Sequence, residues 1–303
     1  MDEKIVARVT EILLDKYILK VDNKSSVNTF NCNNTFEAYK TGNVKKNNNI
    51  LVGDLVNVKK SYDKYMIEKV LLRKNQVIRP PVANIDQMVI VLSIKNPLPD
   101  YMLLDKQLVL CKSKNIEPVI CINKIDLCND FEYIKDVYSS YVKNIFFVSA
   151  KENSQIENLK KCLIGKVSAF SGNSGVGKSS IIKNIVGEDY NILVGEIGKK
   201  TSKGKHTTKH VKLYEFEKDS YILDTPGFSS YELYDIEYKR LKDYYDEFLD
   251  CKCDYDDCTH VLESSDVCEV KRKVENKKID KSRYERYVYI YNKLKEDYER
   301  KYK

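Results

Sequence analysis

The sequence predicts an α/β fold in three parts, on three observations. Residues 1–72 read as five short strands, and residues 73–232 alternate apolar strands with helical stretches around a G-x-x-x-x-G-K-S segment. Residues 233–303 hold a tight Cys/His cluster followed by one charged helix. A chain of 303 residues is long enough for two or three cores. Its 42% apolar and 32% charged residues are the composition of a globular protein in water. No run approaches the roughly 20 apolar residues that cross a bilayer. The start, "MDEKIVARVTEILLDKY", is interrupted by charge too often for a signal peptide. No membrane contact and a cytoplasmic location are expected, and a monomer. The nine cysteines would then stay reduced, and an odd count without paired spacing speaks for metal binding or burial over a disulfide framework. The net charge of +7 favours a polyanionic partner.

In the first part, "KIVARVTEI", "KYILKVD", "TFEAYK", "DLVNVKKS" and "YMIEKVLL" mix β-formers with polar residues between Asn, Gly and Asp turns. Five such strands suit a small barrel of the OB type. From Arg79 the texture changes: "IDQMVIVLSI" is continuously apolar, as a strand covered on both faces must be. A helix around Leu103–Ser113 follows, then strand "PVICI", a helix over 131–142, strand "NIFFVS", a helix over 156–163 and strand "KVSAF". A helix from Lys178 and strands "HVKLYEF" and "YILDT" complete the series. Strands alternating with helices predict a doubly wound sheet.

Gly172-Asn173-Ser174-Gly175-Val176-Gly177-Lys178-Ser179, with Ser180 after it, fits the phosphate loop and sits between a strand and a helix, as its mechanism requires. The glycines let backbone N–H groups wrap phosphates, and Lys178 brings a mobile cation to the β/γ oxygens. Ser179 offers a hydroxyl to Mg²⁺, and the helix dipole points at the same phosphates. Asn123-Lys124-Ile125-Asp126 closes the strand "PVICI", at the sheet edge where ligands bind in such folds. Asp126 can accept from both N1–H and N2–H₂ of guanine, a donor pair that adenine lacks; Lys124 can lay its stem along the base. Ser149-Ala150, at another strand end, would give a backbone N–H to guanine O6. Asp224-Thr225-Pro226-Gly227 supplies an Asp that holds Mg²⁺ through water and a Gly N–H for the γ-phosphate. The loop "GKKTSKGKHTTKH" is long enough for a first switch; Thr207 or Thr208 would bring the second hydroxyl to Mg²⁺, with Thr207 preferred.

These are the parts of a GTPase in rotated order: the base reader precedes the phosphate loop. With the leading barrel and the Cys/His cluster, the chain resembles the RsgA (YjeQ) family of circularly permuted GTPases. The resemblance runs through "RPPVANIDQ", "NKID", "GNSGVGKSS", "GKHTT", "DTPGFSS" and the metal motif. It implies a permuted P-loop GTPase domain flanked by an N-terminal OB-fold barrel and a C-terminal zinc-binding helical domain. It further implies GTP hydrolysis with Mg²⁺ in late maturation of the 30S ribosomal subunit, stimulated by that subunit, with 16S rRNA as a contact. Two rivals stand beside it: a P-loop kinase or ATPase, and an RNA-binding scaffold whose nucleotide only stabilises the fold.

Cys253, Cys258, His260 and Cys268 form a four-ligand set suited to tetrahedral Zn²⁺, with no position left for a catalytic water. The resemblance favours Cys253 over Cys251, although a strand-like geometry could exchange them. In the final helix Tyr284, Tyr287, Tyr291, Leu294 and Tyr298 fall on one stripe, read as packing in preference to base stacking. The Lys and Arg around the stripe, with Lys45, Lys46, Lys59 and Lys60 of the barrel, could touch rRNA phosphates. Phe228 stands where common small GTPases carry the glutamine that orients the attacking water. His206 is the polar candidate for that role, and the resemblance supports it; the alternative is an ordinary exposed loop histidine. Finally, the rotated order makes the second switch the last element of the GTPase core, so the zinc domain that follows would be pulled directly by γ-phosphate contacts.

Overall fold

Every second side chain of the first strands points inward, and that alternation closes a barrel. The computed structural model describes residues 5–22, 35–41, 49–128, 130–187, 211–224, 233 and 235–301. Its first strands are β1 (Ile5–Ile12), β2 (Tyr17–Val21), β3 (Thr35–Lys40), β4 (Leu55–Ser61) and β5 (Lys64–Val70). They pair in the order β1-β2-β3-β5-β4, and β4 returns to β1. Only the β3–β5 pairing is parallel. Ala7, Val9, Leu19, Ala38, Val56 and Ile67 fill the interior. Arg73 clamps the chain's exit, donating from Nε and Nη2 to the two oxygens of the fully buried Asp54 at 2.7 and 2.8 Å. A two-residue hairpin, β6 (Gln76–Val77) and β7 (Val82–Ala83), leads onward. Nothing in the sequence marks it, because two residues carry no period.

The central sheet contains β8 (Gln87–Ser93), then α1 (Tyr101–Ser113), β9 (Glu117–Asn123), α2 (Glu132–Tyr138), β10 (Asn144–Phe147) and α3 (Ile156–Leu163). It continues through β11 (Val167–Ser171), α4 (Lys178–Val186), β12 (Lys212–Glu217) and β13 (Ser220–Asp224). Strand order is β10-β9-β8-β11-β13-β12, parallel throughout except for β12. All seven residues of β8 are buried, as its unbroken apolar run requires. The helix expected over 131–142 stops at Tyr138, whose carbonyl accepts from both Tyr141 and Val142 N–H and turns the chain toward β10. Only three residues, 164–166, join α3 to β11, the junction at which the rotated order is closed. The barrel is welded to this sheet: Glu11 of β1 pairs with Lys212 of β12, and their side chains form an ion pair of 3.1 Å.

One face of the sheet is covered by α3 and α4, with Ile156, Leu159, Ile181 and Ile185 on Val89, Val91 and Phe170. The other face carries α1 and α2, and its core runs on without a break into the C-terminal part. There a 3₁₀ turn (Tyr238–Tyr244), α5 (Asp246–Leu249), α6 (Glu269–Glu275) and α7 (Lys281–Lys301) pack together. The tyrosine stripe of α7 is a packing stripe. Tyr287 and Tyr291 are buried, Tyr284 and Leu294 lean on the same core, and Tyr298 meets the Tyr238 ring edge-on at 5.4 Å.

Beneath that stripe lies a charge cluster. Asp105 of α1 is fully buried and binds Arg283 and Arg286 of α7 through its two oxygens, while the Tyr138 hydroxyl donates to it at 3.0 Å. Arg283 also reaches Glu247 of α5 at 2.5 Å and is only 4% exposed. Burial opposes its charge, but the carboxylates of Asp105 and Glu247 outweigh it and raise its pKa. Two arginines that the sequence offered to rRNA are therefore spent inside the protein. Removing one partner of such a set leaves the others charged and dry. Asp105→Asn is expected to cost about 3–5 kcal/mol, read as a lower midpoint in urea unfolding; an unchanged midpoint would show that the cluster contributes nothing.

Candidate functional site

Four parallel strands, β9, β8, β11 and β13, end along one edge of the sheet at Asn123, Ser93, Ser171 and Asp224, and the nucleotide motifs gather there. The phosphate loop leaves β11 through Gly172, whose backbone lies against the neighbouring strand: a Cβ there would sit 2.1 Å from the Val91 carbonyl oxygen. It enters α4 at Gly177, with a φ of +97°, where a Cβ would lie 2.2 Å from Nδ2 of Asn123. Both positions demand glycine for space and for their positive φ, +138° at Gly172 and +97° at Gly177. The Lys178 ammonium bends over the loop, donating to the carbonyls of Gly172 at 2.7 Å and Asn173 at 2.9 Å. Ser174, Gly175, Ser179 and Ser180 are exposed along the rim, and Val176 is buried beneath it.

The Asn123-Lys124-Ile125-Asp126 segment is built into this loop. Asn123, 2% exposed, donates from Nδ2 to the Val176 carbonyl at 2.9 Å and accepts on Oδ1 from the Ala150 N–H at 3.0 Å. Of the backbone N–H groups that the Ser149-Ala150 segment is expected to offer guanine O6, that of Ala150 is thus engaged by Asn123, and a base oxygen reaching it would share it. Lys124, in left-handed backbone, donates to the carbonyls of Gly175 (2.7 Å) and Asn96, which stretches its stem across the site. Ile125 N–H donates to the Val148 carbonyl at 3.3 Å. Asp126 accepts from the Ser149 hydroxyl at 2.7 Å on one oxygen, and its carboxylate is half-buried. Asn184 of α4 holds the Ala150 carbonyl at 2.7 Å, tying the phosphate-loop helix to the base loop.

The structure thus brings together Asn123, Lys124, Ile125, Asp126, Ser149, Ala150 and residues 172–180, with the backbone of Asp224 one strand away. His206, Thr207 and Gly227 lie outside the described residues. Sequence reasoning missed the segment from Asn96 to Asp100. It lies over the loop, with Pro97 3.8 Å from the Cβ position of Gly175, and Asp100 accepts from Asn173 Nδ2 at 2.9 Å. Its one legible signal was Asp100 as an N-cap ahead of an apolar helix, which says nothing of a loop some seventy residues on.

The metal candidates converge as read. One ligand atom from each of Cys253, Cys258, His260 and Cys268 lies within 4.8 Å of all the others. His260 presents Nδ1 at 3.6, 3.4 and 3.5 Å from the three sulfurs, and Cys253 and Cys268 are 3.9 Å apart. A tetrahedral Zn²⁺ with ordinary bond lengths needs about 3.6 Å from S to N and about 3.8 Å from S to S, so the set fits. Burial, helped by Lys242, pushes the His260 pKa down to about 4 and keeps the ring in its neutral, ligating form. Burial also pushes the Cys258 thiol up, so thiolates here need a cation among them. Cys251 faces elsewhere: it donates to the Glu247 carbonyl and accepts from Lys273 Nζ at 3.2 Å. Cys253, and not Cys251, is the one grouped with His260. The ring of Phe248 and the Tyr284 hydroxyl, which donates to the His260 carbonyl at 2.7 Å, seat the histidine against α7.

Fold and site together define a circularly permuted P-loop GTPase. The RsgA GTPase family model matches residues 70–234, and the chain belongs to that family and is a GTP-hydrolysing enzyme. The small ribosomal subunit biogenesis GTPase RsgA of Ruminiclostridium cellulolyticum is 41% identical over 233 residues, 76% of this chain and 75% of its own length. YjeQ from Thermotoga maritima superposes with a TM-score of 0.81 at 33% identity, over 96% of this chain and 98% of that one. YloQ, described as a circularly permuted GTPase, gives 0.79 at 27% identity over 97% and 96%.

The geometry of the thiols separates two neighbouring cysteines experimentally. Cys253→Ser should lower bound zinc from one equivalent to well below half, whereas Cys251→Ser should leave it unchanged, as measured by elemental analysis after dialysis. Equal losses in both variants would return Cys251 to the ligand set.

Proposed function

We propose that this chain binds the small ribosomal subunit during its late maturation and hydrolyses GTP to GDP and phosphate, faster when the subunit is bound. The observation that carries the reading is the Asn123 amide, which joins the Asp126 segment, the Ala150 loop and the phosphate loop into one pocket. The relatives' role in small-subunit biogenesis supplies the partner. In this reading Asp126 accepts from guanine N1–H and N2–H₂ while Ser149 orients it, and Ser149-Ala150 closes the pocket at O6. Lys178 exchanges its loop carbonyls for the β/γ phosphate oxygens, and the N–H groups at the start of α4 face the same charge. Mg²⁺, when bound, neutralises charge on those oxygens; the hydroxyls of Ser179 and Thr207 and the carboxylate of Asp224 would hold it. The Gly227 N–H meets the γ-phosphate.

His206 orients the attacking water, the role that Phe228 cannot perform. Binding of the subunit acts on turnover through His206, which links recognition to the reaction. The zinc ligands keep the C-terminal module rigid. The barrel's lysines and the net charge of +7 suit 16S rRNA. The reading places a monomer in the cytoplasm; no helix among the described residues is long and apolar enough to cross a membrane.

Two substitutions test the assignment. Asp126→Asn should weaken GTP binding by at least about 2 kcal/mol and improve binding of xanthosine triphosphate, both measured by nucleotide competition; unchanged GTP affinity would remove Asp126 from the base pocket. For the reaction, phosphate release should rise when small subunits are added. His206→Ala should cut that stimulated kcat by about 10²-fold with GTP affinity nearly intact. Turnover indifferent to the subunit would overturn the proposed stimulation, and an unaffected variant would overturn the role of His206.

A further inference from the structure

Helix α1 is gripped on two sides by parts of the molecule with different tasks. On one side it holds the start of the phosphate loop at two points. Asp100, its N-cap, accepts from the Leu103 N–H on one oxygen at 2.9 Å and from Asn173 Nδ2 on the other at 2.9 Å. Two turns later Gln107 donates to the hydroxyl of Ser171, the last residue before the loop. Positions 100 and 107 share a helix face, and position 105 lies about 140–160° round from them. There Asp105 takes both Arg283 and Arg286 of α7. Side chains at these contacts are buried or partly buried and hydrogen-bonded, so the helix cannot shift against one neighbour without moving against the other.

We propose that Asp100 is a positioning residue for nucleotide binding, and that α1 carries its hold on Asn173 across to the C-terminal helix. Seating of a nucleotide in the phosphate loop and seating of α7 on the GTPase core are then two ends of one equilibrium. This route does not pass through the switch segments. It adds to the direct pull through the second switch that the chain order implies, and it operates with the diphosphate as well as the triphosphate. Such coupling is reciprocal: whatever loosens α7 weakens the nucleotide by the same factor that the nucleotide tightens α7.

The inference rests on the phosphate loop being the nucleotide site, so GDP binding is measured first and separately, by fluorescence of a labelled GDP on the zinc-loaded full chain. Amide hydrogen exchange is then followed in residues 281–290 with and without GDP and Mg²⁺. In the wild type GDP is expected to slow exchange there by about fivefold or more. Asn173→Ala removes the donor and leaves the helix cap intact; Asp100→Ser keeps a capping hydroxyl and loses the reach to Asn173. Both variants should still bind GDP, less tightly, and both should lose the α7 response. Exchange in α7 that ignores GDP in the wild type would overturn the proposal, as would an undiminished response in Asn173→Ala. Absence of GDP binding by the wild type would instead overturn the nucleotide site itself.

Discussion

The amide of Asn123 is the constraint on which the site depends. It is almost wholly buried at the end of β9, and its two polar atoms are committed to chain segments far apart in sequence, the Val176 carbonyl and the Ala150 N–H. No other side-chain type of that size offers one donor and one acceptor in a plane. The phosphate loop can approach only because residue 177 has no Cβ. The proposed base pocket and phosphate cradle are thereby one rigid object. That explains how their order along the chain can be reversed: the amide sets their relation in space, whichever is made first.

The second theme is the use of charge where an apolar contact would have sufficed. Between α1 and α7 the protein buries Asp105, Arg283, Arg286 and Glu247 among tyrosine rings, with Arg283 over the rings of Tyr245 and Tyr141 at 4.9 Å. Dehydrating four charges costs several kcal/mol for each ion, and well-packed hydrophobes would be no less stable. What the charges supply is direction. A planar guanidinium meeting a carboxylate accepts one orientation, whereas a greasy face slides. For a helix whose opposite side touches the phosphate loop, one permitted seat is worth more than a tighter one.

Much of this was legible in the sequence, for reasons that can be named. The barrel strands show because alternate residues are apolar, and β8 shows because it is apolar throughout; both patterns are local. The phosphate loop and the Asp126 segment show because their chemistry needs fixed spacing. What stayed hidden is carried by contacts across long stretches of chain. Asp100 reads as a helix cap, and its second partner is 73 residues away. Arg283 and Arg286 read as surface charge on a charged helix, and only the fold reveals a carboxylate 178 and 181 residues earlier to receive them. Cys251 and Cys253 differ in nothing that spacing can register; the turn of the backbone after α5 decides which one faces His260.

The Asp105 cluster also has a meaning in time. A chain made from its N-terminus releases Asp105 long before Arg283, 178 residues later. At ordinary rates of synthesis that interval is roughly ten to thirty-five seconds. Throughout it, the inner side of α1 bears a carboxylate with no counter-charge, and closing the core over it is unfavourable. Until those arginines arrive, water is the better partner for the face of α1 that α7 will cover. A chain that ends early never receives its arginines and keeps that face open. Helix α7 is thus the seal on that side of the GTPase core, and it closes when Arg283 and Arg286 reach Asp105.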